Sequence, residues 1–203
     1  MHLYLKNFAS YESRQVLTYW ALGAAISRWS HLEHELSVVA ASALGIRQMD
    51  DAFKLLSSFR AFSSLLDFVD SAVRIRIKDE HEVSFWNSLV EYIRELSGDR
   101  NHIAHNPVVA HGNEDPLEED WDTVTPKVGP APSSIATGRQ KIHPMPAEEL
   151  VELHNDFQFV CEILKEYNHA KATLHSLPDK FLQPISRRRP SRSERQAQNQ
   201  RTH

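Results

Sequence analysis

Cysteine is almost absent from this chain. Cys161 stands alone among 203 residues, so no disulfide can form within one chain, and a lone thiol fits a reducing compartment. Glycine is also scarce, at six residues. No Gly-rich phosphate loop, Walker pattern or Gly-x-Ser-x-Gly elbow occurs, which argues against an NTPase or an α/β hydrolase. No apolar run approaches the roughly 20 residues of a membrane span. The longest small-and-apolar patch, Val38 to Leu44, contains Ser42. The opening Met1-His2-Leu3-Tyr4-Leu5-Lys6 lacks the apolar core of a signal peptide. The expectation is a soluble, cytoplasmic protein without membrane contact.

Apolar content is 41%, enough for a packed core rather than wholesale disorder. The net charge of −4 is unevenly spread. From Pro178 to His203 seven Lys/Arg face two Asp/Glu, a balance of +5, which leaves −9 (−4 minus +5) for the rest. A mildly acidic body with a basic tail does not suit a dedicated duplex-DNA binder. It leaves room for a local contact with a polyanion.

Along the chain, residues 1–12 read as an arm. A long helix is predicted from Tyr11–Ser13 to Leu44, stopped by Gly45. Its apolar stripe is Leu22, Ile26, Trp29, Leu36, Ala40 and Ala43, and Glu33 falls in the seven-residue gap at the stripe's centre. A carboxylate on a buried face is costly unless paired, so Glu33 is expected to meet a cation or a wet cleft. Either a packing role or a supporting role in a site follows. A second helix is predicted over Asp50 to Ile77, capped by Asp50 or Asp51, with the stripe Leu55, Phe59, Phe62, Leu66, Val69, Val73 and Ile77. After a turn at Lys78–His81, a third runs from Glu80 to Leu96 and buries Val83, Trp86, Val90 and Ile93. Two continuations fit at Ser97-Gly98-Asp99: an end with Asp99 capping a fresh turn, or a helix that carries on with a kink.

Between Pro107 and Pro146 lie seven of the ten prolines, and the helical period is lost. Val108-Val109, Asp122–Thr125 and Gln140–Ile142 suggest short strands of a small ribbon. The acidic run from Glu114 to Asp122 reads as a solvated loop. A last helix starts after Pro146, with Glu148 and Glu149 complementing its positive end. It buries Leu150, Leu153, Phe157, Val160, Leu164 and Tyr167 and reaches about Leu174, with Cys161 as a buried thiol. Residues 178–203, rich in Arg and Ser, read as a basic disordered tail that either holds RNA or solubilises. The predicted architecture is all-α: an antiparallel four-helix bundle over 13–177, with a Pro-rich β-ribbon or loop insertion at 107–146 before the last helix.

The densest chemistry lies in Asp99-Arg100-Asn101-His102-Ile103-Ala104-His105-Asn106-Pro107. On a helix, Asn101 and His105 are four apart and share a face, with Arg100 on the flank. An amide can orient an imidazole, and a guanidinium offers a planar fork matched to phosphate. A histidine can move a proton near neutral pH. These parts suit cleavage of an RNA phosphodiester. His105 acts as base on the 2′-hydroxyl or acid on the leaving oxygen, and Arg100 stabilises charge on the phosphate. One chain supplies one such proton-transfer group, so a symmetric dimer is the economical way to bring two together.

The pattern Arg100-Asn101-x-x-x-His105, near the end of a helix in a helical bundle, resembles the signature of the HEPN superfamily (higher eukaryotes and prokaryotes nucleotide-binding domains). The run Arg100-Asn101-x-Ile103-Ala104-His105 is similar to a variant common among its bacterial members. The resemblance implies a metal-independent endoribonuclease with catalytic Arg100, His105 and Asn101 at a composite site across a homodimer. It also implies roles in toxin–antitoxin, phage-defence or RNA-processing systems, with a nucleotidyltransferase-like antitoxin as a cognate partner. A polar or acidic residue from the first helix accompanies the motif in that family, and Glu33 is the candidate. His102 is read as an outward-facing neighbour or a secondary RNA contact.

Non-catalytic dimers also occur in the superfamily. The alternative is therefore a helical homodimer that serves as an interaction or nucleotide-binding module. Twelve histidines raise the question of metal, but His102, His105 and His111, or His31 and His34, lack a sharp ligand spacing. No metal and no cofactor is expected.

Overall fold

The computed structural model describes residues 10–111, 124–130, 144–173 and 177–185. Their order is α1 (Tyr11–Leu44), α2 (Met49–Leu56), α3 (Phe62–Arg74), α4 (Glu80–His105), β1 (Val108–His111), β2 (Thr125–Val128), β3 (Met145–Pro146) and α5 (Ala147–Thr173). A short 3-10 turn follows at Asp179–Phe181. The described chain is mostly helical, with one small antiparallel sheet in the order β1-β2-β3. Among the described residues no helix is long and apolar enough to cross a membrane.

The first helix keeps its expected ends. The Ser10 hydroxyl accepts from the Ser13 backbone N–H, a local N-cap. At the far end Gly45 takes φ +71°. Its N–H bonds Ser42 O, and Ile46 N–H bonds Ala41 O, the paired closure that glycine allows just past a helix.

The buried face of α1 differs from the expected stripe. It runs Ala21, Ala25, Trp29, Leu32, Leu36, Val39 and Ala40, whereas Leu22, Ile26 and Ala43 are only partly covered. Leu32, fully buried, fills the gap between Trp29 and Leu36. Glu33 sits one position round the helix, half-exposed. The assignment of Glu33 to the centre of the stripe is thus corrected: a helix admits two phases over such a gap, and the larger apolar side chain takes the core.

The single second helix is also corrected, because α2 and α3 are separate. Between them the Ser57 hydroxyl bonds Lys54 O, and the Ser58 hydroxyl bonds Leu55 O. Such side-chain bonds to the preceding turn compete with helix continuation. The break turns Leu55 outward, 44% exposed, while Ala52 and Leu56 face inward. The expected cap at Asp50 or Asp51 lies instead at Gln48, and both aspartates occupy the first turn.

The helix from Glu80 begins on Asp79, whose carboxylate accepts from the His81 and Glu82 N–H groups. It runs unbroken through Gly98 to His105. Of the two continuations at Ser97–Asp99, the helix that carries on is the one adopted. No fresh turn is capped by Asp99. The last helix buries all six expected residues, and Cys161 is buried beside them.

In the ribbon, Val108 pairs with Val128 and His111 with Thr125, while Val128 also pairs with Met145. The first expected strand is present. The second is displaced to begin at Thr125. The expected strand at 140–142, the acidic run at 114–122, the arm at 1–9 and the Arg-rich segment from 186 lie outside the described residues.

The described residues form two compact units, one drawn from Met1–Arg28 and Asp99–Asn155, the other from Trp29–Gly98 and Asp156–His203. The first contains the ribbon. There the Arg14 guanidinium donates to Val124 O, and His154 Nδ1 lies 3.2 Å from Ala24 O. The second has an aromatic core. Trp29 lies 4.6 Å from Phe62 and 5.0 Å from Phe157, ring centre to ring centre. Phe85, Tyr167 and Phe181 form a second cluster, at separations typical of favourable edge and offset contacts.

Candidate functional site

The last two turns of α4 carry Arg100, Asn101, His102 and His105, all in the first unit. A helix C-terminus presents unpaired carbonyls and a partial negative charge. It disfavours a phosphate unless a cation stands nearby, and Arg100 lies within the last two turns. Because α4 is continuous through Asp99, no second helix N-terminus is formed there to receive an anion.

Arg100 is half-buried. Its Nη1 donates to Asn101 Oδ1 at 3.2 Å. Its Nε is enclosed and has no hydrogen-bond partner among the described residues. Guanidinium carries five N–H donors, so most of its capacity is uncommitted. Asn101 and His105 are exposed. The amide was expected to orient His105, its neighbour on the same face. Instead its oxygen holds Arg100, the adjacent residue in sequence.

His102 corrects the expectation most sharply. It does not face outward; it is buried, 5% exposed. Its Nε2 lies 3.2 Å from the Val128 carbonyl oxygen in β2. Asn106 Nδ2 lies 3.2 Å from His102 Nδ1 and donates to His102 O at 2.7 Å. A carbonyl only accepts, so Nε2 carries the proton. An amide nitrogen only donates, so Nδ1 is the acceptor. The two bonds agree on one neutral tautomer. His102 therefore ties the end of α4 to the ribbon, and the Gly129 N–H bond to Pro107 O adds a second tie nearby.

Asn106 was assigned no role from the sequence. Its signal was present: it stands four residues after His102, the same spacing that separates Asn101 from His105. Which of the two amide–imidazole pairs forms depends on which face is turned inward.

Glu33 belongs to the second unit. Its carboxylate accepts from the indole N–H of buried Trp29 at 2.7 Å, and its backbone carbonyl accepts from the Ser37 hydroxyl. A cation or a wet cleft was expected for Glu33; its carboxylate meets an indole instead of a cation, and the side chain is half-exposed. Trp29 brings a polar N–H into the aromatic core, and the carboxylate one turn on satisfies it.

Among the described residues no group of three or more His, Cys, Asp or Glu is placed to hold a metal ion. The groups at the end of α4 are thus an exposed imidazole, a partly enclosed guanidinium and an amide that steadies it. No family model, no curated protein and no solved structure matches the chain, so the chemistry of this site rests on its own geometry.

Proposed function

We propose that the chain is a metal-independent endoribonuclease of HEPN type, built on an antiparallel four-helix bundle with a ribbon insertion. The supporting observation is the end of α4: His105 is exposed on the same face as Asn101, and Asn101 steadies an Arg100 that keeps donors to spare. In the reaction His105 removes the proton of a 2′-hydroxyl. The 2′-oxygen attacks phosphorus, and the bond to the 5′-oxygen breaks. A second imidazole protonates the leaving oxygen. The guanidinium of Arg100 takes up charge on the non-bridging oxygens. The products are a 2′,3′-cyclic phosphate and a free 5′-hydroxyl. Each chain offers a single exposed imidazole in this motif, so a homodimer that joins two motifs supplies the base and the acid.

A cleavage assay on structured and single-stranded RNA in EDTA tests this reading. Wild type cuts, and His105→Ala and Arg100→Ala do not, while both variants keep the helical circular dichroism of wild type. Equal cutting by wild type and His105→Ala would overturn it. Growth arrest on expression, relieved by His105→Ala, would support the toxin or phage-defence role and a cognate antitoxin.

The partial burial of Arg100 favours a second reading, a non-catalytic homodimer in which the guanidinium serves packing or nucleotide binding. It is distinguished by a persistent dimer that cuts no RNA.

A further inference from the structure

Within the second unit lies a cavity of about 310 Å³, at the lower end of the range that holds small organic ligands. Val39 and Val73 line it with apolar surface, and Ser42, Arg76, Asn168 and Lys171 supply polar groups. Its lining among the described residues holds two cations and no carboxylate. Buried Glu82, which is bonded to two residues of the lining, is already engaged: its Oε1 accepts from Tyr167 OH at 2.6 Å and from Lys171 Nζ at 2.8 Å. Ammonium has three donors, and one of those of Lys171 is spent there. The guanidinium of Arg76 spends its Nε on Ala43 O, at 2.7 Å. That leaves the Nη fork, the part of the group shaped for an oxyanion.

We infer that this cavity is a binding site for a small organic anion, a phosphomonoester or carboxylate with a compact apolar body. The anionic head meets the Arg76 fork and Lys171. The body rests on Val39 and Val73, and Ser42 and Asn168 offer orienting hydrogen bonds. The charge balance favours this class over a cation or a neutral solute. Arg76 and Lys171 contribute two positive charges, and Glu82 removes one. The carbonyls at the end of α1 are partly answered by Arg76 itself. The site is independent of the RNA chemistry proposed at Arg100 and His105.

Titration calorimetry on the full chain tests it with four probes: phenyl phosphate, benzoate, inorganic phosphate and neutral phenol. Phenyl phosphate or benzoate is expected to bind one per chain, more tightly than inorganic phosphate, while phenol shows no saturable binding. The better of the two anions identifies the head group. Arg76→Gln is expected to weaken binding roughly tenfold, the scale of one charge-assisted contact. Ser42→Trp, an exposed helix position, is expected to abolish binding by filling the cavity, with circular dichroism checking that the fold is kept. Arg100→Ala is expected to leave binding unchanged. The inference is overturned if neither anion saturates, if phenol binds as well as its phosphate ester, or if Arg100→Ala removes binding that Arg76→Gln and Ser42→Trp retain.

Discussion

His102 in the last turn of α4 lies with its Nε2 3.2 Å from the carbonyl oxygen of Val128, and that contact fixes which face of the motif meets solvent. Asn101 and His105 are left exposed because His102 and Ile103 are the residues turned inward. Replacing His102 with Ala removes one donor from the Val128 carbonyl and opens a small void. The expected loss is about 2 kcal/mol of unfolding free energy, from a lost hydrogen bond plus lost packing. Asn106→Ala, which removes one partner of His102, is expected to cost about 1 kcal/mol. Urea denaturation of each variant reads both values.

His105 and Arg100 separate stability from activity. His105 is exposed, so His105→Ala is expected to change stability by less than about 0.5 kcal/mol, the usual scale for surface substitutions. Arg100→Ala removes a half-buried stem and the bond to Asn101, with an expected cost of about 1 kcal/mol. Both are expected to abolish RNA cleavage. Melting curves beside the cleavage assay check that lost activity is not lost folding.

Glu33 distinguishes a packing role from a role in a site. Glu33→Gln keeps an amide oxygen to accept from the Trp29 indole and is expected to preserve stability to within about 0.5 kcal/mol. Glu33→Ala strands that indole N–H and is expected to cost about 1–2 kcal/mol. Trp fluorescence during denaturation follows both. If Glu33→Gln also keeps RNA cleavage, the carboxylate charge is not used there.

Two glycines are expected to respond with opposite sign. Gly45 holds φ +71°, a conformation costly for a residue with a Cβ, so Gly45→Ala is expected to destabilise by about 1 kcal/mol. Gly98 lies inside α4, and a Cβ there meets nothing within 4 Å. Gly98→Ala is expected to stabilise by about 0.5–1 kcal/mol, the helix-propensity difference between the two residues. Thermal melts compare them, and cleavage by Gly98→Ala tests whether the motif uses flexibility at that glycine.

Tyr167 sets an alkaline limit. Burial, then its hydrogen bond to Glu82 and the charge of that carboxylate, hold its phenol well above the ordinary tyrosine range. A raised folded value means that this stabilisation is fully present below the unfolded value of about 10 and is lost as pH rises above it. Stability measured from pH 9 to 11 is therefore expected to fall at the upper end. Tyr167→Phe is expected to be less stable near neutrality, because Glu82 loses a donor, and to show a shallower alkaline decline.

Legibility varied with how local the deciding interaction was. The last helix was readable in full, because its six apolar residues recur at helical spacing and each side chain entered the core. The end of α1 was readable, because Gly45 closes it through bonds within five residues. The break between α2 and α3 was not, since a continuous apolar period concealed two serine hydroxyls competing for helix carbonyls. The phase of α1 was ambiguous over one turn, where Leu32 and Glu33 are adjacent and only packing chooses between them.

The candidate site divides the same way. The sequence by itself determined that a guanidinium, two amides and two imidazoles share the end of one helix, because residue types and spacing are written in it. The tertiary structure decided which imidazole is buried as a neutral tie and which is left exposed to solvent. That choice depends on Val128, 26 residues further along the chain, whose carbonyl oxygen lies 3.2 Å from His102 Nε2. No local period encodes a contact with a distant backbone oxygen.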